Sequence, residues 1–441
     1  MTIDHTENDK PVIAAAVIPI IGKNRAALSD SREEETEGLI LALDAECAFV
    51  QTLFVRAVNP AQLFGTGQLE AISEKLKAAE CSLFVVDGHL SPVQQRNLEK
   101  FLGVKVIDRT GLILEIFGLR ARTKAGRLQV ETARLAYERT RLVRTWTHLE
   151  RQRGGSGFIS GPGETQIEAD RRMLDEALLR LKAQLKEVEK TRRIQREGRT
   201  SRNVPIVALV GYTNAGKSTL FNNLTEAHVF AKDMPFATLD PTIRQMKLNS
   251  GTDIALVDTV GFITDLPTSL IESFKATLEE TVLADVIIHV HDASSVDVFN
   301  QDEEVHKILD DLEDMMDHDL PPIIHVWNKT DLLTADERDT LTSAQETLHP
   351  DDPHLLISAL SGDGLETLRN AISDVLARHH SNVTVRVDET DGQLLSWLYA
   401  HGKVLNREDL PESGLIELTL QMSSRTIGQM NRKFPNVITE E

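Results

Sequence analysis

Cysteine is scarce: Cys47 and Cys81 are the only two in 441 residues. They sit in unrelated contexts, so the sequence carries neither a disulfide frame nor a Zn²⁺ cluster. Long apolar runs are missing too, and none approaches the length that spans a bilayer. The opening stretch Met1–Glu7 has no basic n-region and no apolar h-region. A cytoplasmic protein without a membrane anchor is the expectation, and a monomer. Positive charge is in deficit, with a formal net charge of −20, which ordinarily argues against a nucleic-acid partner. The deficit is uneven. Residues 118–204 hold 21 Lys/Arg against 11 Asp/Glu, a local +10 that leaves −30 for the rest of the chain. Such a basic segment is either a solvated helical surface laced with ion pairs or the footprint of an anionic partner. Composition is otherwise that of a soluble protein, 41% apolar and 26% charged, and the length predicts two to four domains.

What is present is sharper. Gly211-Tyr212-Thr213-Asn214-Ala215-Gly216-Lys217-Ser218 fits GxxxxGK[ST]. The apolar run Ile206–Val210 precedes it and a helical pattern, Thr219–Leu224, follows. In that strand–loop–helix setting, successive backbone N–H groups and the helix N-terminus face phosphate oxygens. Lys217 reaches the β- and γ-phosphates, and the Ser218 hydroxyl is a ligand for Mg²⁺.

The base is addressed further on, where the strand-like run Ile323–Trp327 ends in Asn328-Lys329-Thr330-Asp331. A carboxylate at Asp331 accepts two parallel hydrogen bonds from guanine, and adenine would leave it unpaired, which is costly. Asn328 would tie this loop to the phosphate loop, and the Lys329 stem would cover the base. Ser358-Ala359-Leu360, after the run Leu355–Ile357, offers backbone N–H groups for guanine O6. Between the phosphate and base motifs lie Asp258-Thr259-Val260-Gly261. There the Asp258 carboxylate would hold a Mg²⁺-bound water and the Gly261 N–H would bind the γ-phosphate. Phe236-Ala237-Thr238-Leu239-Asp240 suits a switch loop. Thr238 is the preferred second hydroxyl ligand of Mg²⁺, with Thr242 as rival. The expected catalytic set is Lys217, Thr238, Gly261 and Asn214, with GTP and GDP as ligands.

One expected side chain is missing. Many regulatory GTPases carry a Gln after the glycine of DxxG, to orient the attacking water, but here the residue is Phe262. Intrinsic hydrolysis should therefore be slow and need help. Asn214 either braces the phosphate loop or, as in GTPases lacking that Gln, recruits K⁺ beside the phosphates.

Around these motifs the chain divides into a disordered acidic arm (1–10), an α/β unit (11–109), a helical hairpin (110–200), a GTP-binding domain (201–380) and a small α+β domain (381–441). In the α/β unit, helices are predicted near 36–47, 67–79 and 91–102, and Gly65-Thr66-Gly67 reads as a strand-to-helix turn rather than a second phosphate site. In the hairpin, Leu128, Leu135, Leu142 and Leu149 recur every seventh residue with Trp146 on their stripe. Leu174, Leu178, Leu181, Leu185 and Val188 form a second seam. The five glycines and one proline between Arg153 and Gly163 break the helix, with Glu164-Thr165 starting the second helix. Flanked by Arg151, Arg153, Arg171 and Arg172, this tip reads as a contact tip more readily than as a linker. Residues 192–203 read as a hinge.

The chain resembles the HflX GTPases over nearly its whole length. The resemblance is most specific in Asp108-Arg109-Thr110-Gly111-Leu112-Ile113-Leu114-Glu115-Ile116-Phe117, in Gly126-Arg127-Leu128-Gln129-Val130-Glu131, and from Gly154-Gly155 through Gly161-Pro162-Gly163-Glu164-Thr165-Gln166-Ile167-Glu168-Ala169-Asp170-Arg171-Arg172. The phosphate loop with Asn214, and Asp258 through Phe262, match as well. The resemblance implies a GTPase that binds the large (50S) ribosomal subunit and separates stalled ribosomes, notably under stress, with its Gly-rich tip against rRNA near the peptidyl-transferase centre and its hydrolysis reliant on the ribosome. Two other readings remain: a ribosome-assembly or tRNA-modification GTPase, and a GTP-dependent regulator of a protein target without RNA. A nucleotide-dependent membrane switch would need an amphipathic anchor, and none is evident.

Overall fold

The computed structural model describes residues 11–21, 30–152, 162–200, 204–225, 234–264, 278–316, 319–378, 380–410, 414–435 and 438–440. The arm 1–10 and the tip residues 153–161 lie outside the described residues.

The first unit is a parallel sheet of β1 (Ile13–Ile21), β2 (Glu46–Val55), β3 (Leu83–Val86) and β4 (Lys105–Asp108), in the order β2-β1-β3-β4. Its central β3 is Leu-Phe-Val-Val and wholly buried, as expected of a strand covered on both faces. The helices are α1 (Asp30–Ala42), α2 (Thr66–Ala78), α3 (Pro92–Leu102) and α4 (Arg109–Arg120). Local chemistry sets the bounds of α3: Ser91 and Gln94 form a capping box, Pro92 takes the first turn, and Gly103 closes the helix at φ 73°. Gly65 is the cap residue of α2, so its loop is a turn. Helix α1 begins earlier than its apolar pattern indicates, and Glu46 already pairs with Ile13 in the sheet.

Two long helices follow, α5 (Lys124–Gln152) and α6 (Pro162–Thr200). They run antiparallel and are joined at mid-length by the Arg139–Asp175 ion pair at 2.7 Å. The hairpin does not start at 110 as expected, because α4 is a separate helix whose Leu112, Ile113, Ile116 and Phe117 enter the core. Nor do residues 192–200 form a hinge: α6 continues through them to Thr200, since Arg, Lys, Gln and Glu are good helix formers.

The third unit is a six-stranded sheet of β5 (Ile206–Gly211), β6 (Thr242–Lys247), β7 (Asp253–Asp258), β8 (Val286–Asp292), β9 (Ile323–Asn328) and β10 (His354–Leu356), ordered β10-β9-β8-β5-β7-β6. Only β6 is antiparallel. Helix α7 (Lys217–Thr225) follows β5, and α8 (Val298–Met316) follows β8. The carboxyl ends of β5, β7, β9 and β10 open onto one crevice, where ligands bind in such sheets. The last unit is an antiparallel sheet of β11 (His380–Asp388), β12 (Lys403–Leu410), β13 (Leu415–Ser423) and β14 (Ile438–Glu440), ordered β12-β13-β11-β14. Strand β12 was not foreseen, because Lys403-Val404-Leu405-Asn406-Arg407-Glu408-Asp409-Leu410 is a polar edge with little apolar pattern. Among the described residues no helix is long and apolar enough to cross a membrane.

The first and third units interlock. Buried Arg109 donates to Asp87 Oδ1 and Glu35 Oε1, each at 2.7 Å, and to the Thr264 carbonyl at 2.9 Å. Phe236 sits edge-on to Phe117 with ring centroids 4.7 Å apart. Asp240 Oδ2 accepts from the Arg122 and Thr123 amides, both at 2.9 Å, immediately before α5. A side chain at Gly126 would collide with that carboxylate. Replacing Arg109 by Met would leave Asp87 and Glu35 buried and under-compensated. Arg109→Met is expected to lower the urea midpoint of the N-terminal unit by an amount corresponding to about 3 kcal/mol or more; an unmoved midpoint would show that the guanidinium is dispensable.

Candidate nucleotide-binding site

Strand β5 is buried along its whole length and delivers the chain to Gly211. Gly211 takes φ 143° and Gly216 φ 90°. A Cβ on the first would strike the Val290 carbonyl, and on the second the Asn328 amide, so both positions require glycine. The loop frames a cavity of about 340 Å³ lined by Thr213, Asn214, Gly216, Lys217, Ser218, Thr219, Met234, Phe236, Ala237, Thr238, Thr259, Gly261, Asn328, Lys329, Asp331, Leu332, Ala359 and Leu360. Loops from four strands thus meet at one space.

Lys217 is buried and donates to the carbonyls of Gly211 at 3.0 Å and Tyr212 at 2.7 Å. Burial pulls its ammonium down to about 8, opposed by the Asp258 carboxylate. A phosphate anion in the cavity would add to that carboxylate in favouring the charged ammonium. Gly261 lies against Lys217 and Thr213 with no space for a side chain.

Beside Lys217, Ser218 Oγ and Thr238 Oγ1 both donate to Asp258 Oδ2, at 2.8 and 3.0 Å, and stand 2.9 Å from each other. Burial pushes the Asp258 carboxyl up, with both hydroxyls and Lys217 opposing. Asp258 Oδ1 is buried without a hydrogen bond. Two hydroxyls and a carboxylate, one of whose oxygens is orphaned, form at one point an all-oxygen set suited to Mg²⁺, which phosphate-loop GTPases generally use. Thr242, the rival to Thr238, is instead in β6 opposite Asp258.

At the base end, Asn328 Nδ2 donates to the Ala215 carbonyl and its Oδ1 accepts from the Ala359 N–H, both at 2.8 Å. Asp331 Oδ1 accepts from Ser358 Oγ at 2.6 Å. Lys329 takes φ 65° and pairs with Asp292 at 2.7 Å. Thr330 turns inward, its hydroxyl donating to the Ile357 carbonyl.

Several expected contacts fall elsewhere. Of the three amides assigned to guanine O6, Ala359 serves Asn328 and Ser358 serves the Asp363 carbonyl. That leaves Leu360, the exposed member of the three. The Tyr212 side chain turns away from the cavity, accepting from the Thr264 amide at 2.6 Å and donating to Glu35 at 3.1 Å. Asp240 caps α5, and Leu239 and Val260 enter the core shared with the N-terminal unit. Thr259 is buried, with its hydroxyl on the Leu209 carbonyl. Phe262 is also buried in that shared core and does not line the cavity. Asn214, at φ 63°, lines the cavity and is exposed.

Sequence reasoning missed Asp292 and the Glu35–Thr264 surroundings of Tyr212. Asp292 ends β8 as Asn328 ends β9, and that parallel was the available signal. No local pattern links Glu35 to Tyr212.

Four family models match in sequence order: GTP-binding GTPase N-terminal (30–118), GTP-binding GTPase Middle Region (120–199), 50S ribosome-binding GTPase (206–329) and HflX C-terminal domain (345–441). The chain is 42% identical over 431 residues to GTPase HflX of Magnetococcus marinus, covering 97% of each chain. It is 42% identical over 389 residues to GTPase HflX of Escherichia coli K12, covering 88% of this chain and 89% of the relative. The crystal structure of the SsGBP–GDP complex aligns with 83% of this chain and 99% of its own, at 25% identity and TM-score 0.49.

Asp331→Asn is expected to weaken GTP binding at least tenfold, about 1.4 kcal/mol, and to favour XTP, whose carbonyl accepts from the new amide. Competition between GTP and XTP measures this, and an unchanged preference would remove Asp331 from the base site.

Proposed function

Since the chain belongs to the HflX family of GTPases, we propose that it binds the large ribosomal subunit and its rRNA and uses the GTP cycle to split stalled ribosomes. The reaction is hydrolysis of GTP to GDP and phosphate. The observation that carries the proposal is the Asp240 cap. Thr238 stands at the Mg²⁺-type oxygen set, and two residues on, Asp240 closes the first turn of α5. A γ-phosphate that orders the Thr238 loop therefore favours one seating of the helix, and hydrolysis releases it. Helix α5 has 29 residues, about 43 Å at 1.5 Å per residue. It carries the event along its length to Gln152, which the Gly-rich segment follows in sequence. The basic excess of residues 118–204 then faces rRNA phosphates, so binding weakens as salt rises. The match to the family model described as a 50S ribosome-binding GTPase supports the same partner.

Replacing residues 154–163 by a Ser/Ala-rich loop of equal length is expected to abolish subunit separation, followed by light scattering, while GTP affinity stays within about twofold. Full splitting by that variant would reduce the segment to a linker and refute this reading.

The buried Phe262 cannot orient water, so hydrolysis needs charge from elsewhere. We assign K⁺ binding to Asn214, which faces the cavity. Hydrolysis in KCl is expected to exceed that in NaCl several-fold at equal ionic strength, and Asn214→Ala to erase the difference. Equal rates in the unmodified protein would retire the assignment.

A further inference from the structure

A second set of ligating side chains lies under the same sheet, away from the nucleotide cavity. Strand β8 contributes His289 and His291, α8 contributes Asp302 and His306, β9 contributes His325, and the loop before β10 contributes His349. One donor atom each from His289, Asp302, His306 and His325 lies within 4.8 Å of the others. Asp302 Oδ1 is the hub, 3.5 Å from His289 Nδ1 and 3.2 Å from His306 Nδ1. Donors about 2.0–2.1 Å from a tetrahedral metal stand about 3.4 Å apart, so these separations already suit one ion.

Three of these atoms are orphans. His289 Nδ1, Asp302 Oδ1 and His325 Nε2 are buried and make no hydrogen bond. Leaving three convergent polar atoms unsatisfied in a core is costly. Their outer contacts are in place. His291 Nε2 meets His325 Nδ1 at 3.1 Å, the other nitrogen of His325 stands 3.5 Å from Asp352 Oδ2, and His349 holds the second Asp302 oxygen at 3.0 Å. His306 is the most exposed of the four, and its Nδ1 donates to the Asp302 carbonyl at 3.0 Å. On loading, it must exchange that bond for the metal, on the side open to solvent.

We propose that His289, Asp302, His306 and His325 form a structural site for a divalent transition metal of the Zn²⁺ type. Three imidazoles and one carboxylate suit Zn²⁺ and exclude Mg²⁺, which requires oxygen ligands. The scarcity of cysteine argued against a Zn²⁺ cluster but does not bear on a histidine site. The ion pins β8, α8 and β9 together. The two strands end at Asp292, which pairs with Lys329, and at Asn328 of the base loop, and Trp327 stacks on His291 with ring centroids 4.2 Å apart. The ion would therefore fix the edge of the sheet that presents Asn328 and Asp331.

The test uses full-length protein without a histidine tag, stripped with chelator and held in excess Mg²⁺–GDP to fill the nucleotide site. Titration with Co²⁺ is expected to give visible d–d bands saturating at one equivalent and displaced by Zn²⁺. Zn²⁺ is expected to raise the melting temperature by several degrees. His306→Gln and Asp302→Asn should each weaken Co²⁺ binding at least tenfold and keep GDP affinity. If Asp302→Asn fails to fold, His306→Gln decides alone. No d–d bands in the unmodified protein, or bands of unchanged affinity in His306→Gln, would overturn the site.

Discussion

Asp240 follows Thr238 by two residues, and its carboxylate closes the start of α5 through the Arg122 and Thr123 amides. These amides belong to a helix N-terminus, where a negative charge is stabilised by the unpaired N–H groups and the helix dipole. In most helices the cap comes from the adjacent chain. Here it comes from a loop 117 residues away, so the helix start and the loop conformation are one equilibrium. Gly126 has no side chain because the carboxylate occupies that space. Gly38 of α1 likewise lies against Pro235 of the same loop.

The segment from Gly261 to Thr264 is held as firmly. Arg109 and Tyr212 both grip Thr264, three residues beyond Gly261. Arg109 is bound in turn by Asp87 and Glu35 of the N-terminal unit. Asp87 stays ionised because Arg109 and Arg32 outweigh its burial, whereas burial dominates at Glu35 and pushes its carboxyl up. The loops that carry Thr238 and Gly261 therefore both end on residues of the first unit. Such an arrangement ties both loops beside Lys217 to the first unit.

The residues that meet at the cavity were legible because they are local: Gly216, Lys217 and Ser218 lie within one loop, and Asn328 and Asp331 within another. The alternation of short strands and helices likewise revealed the parallel units. Side-chain direction was not legible. Tyr212 and Asp240 sit inside or beside nucleotide motifs, yet both face the N-terminal unit, and nothing in a linear pattern separates inward from outward positions in an irregular loop. Strand β12 escaped because a polar edge strand needs no apolar alternation. The histidine cluster escaped for a related reason, since His289, His306 and His325 come from three elements that only the sheet brings together.

Amide hydrogen exchange over residues 119–130 tests the link most directly, comparing protein bound to GDP with protein bound to a non-hydrolysable GTP analogue. Slower exchange of the Arg122 and Thr123 amides with the analogue, and loss of the difference in Asp240→Ala, is the result predicted by transmission through the α5 cap. Equal exchange in both nucleotide states would contradict it.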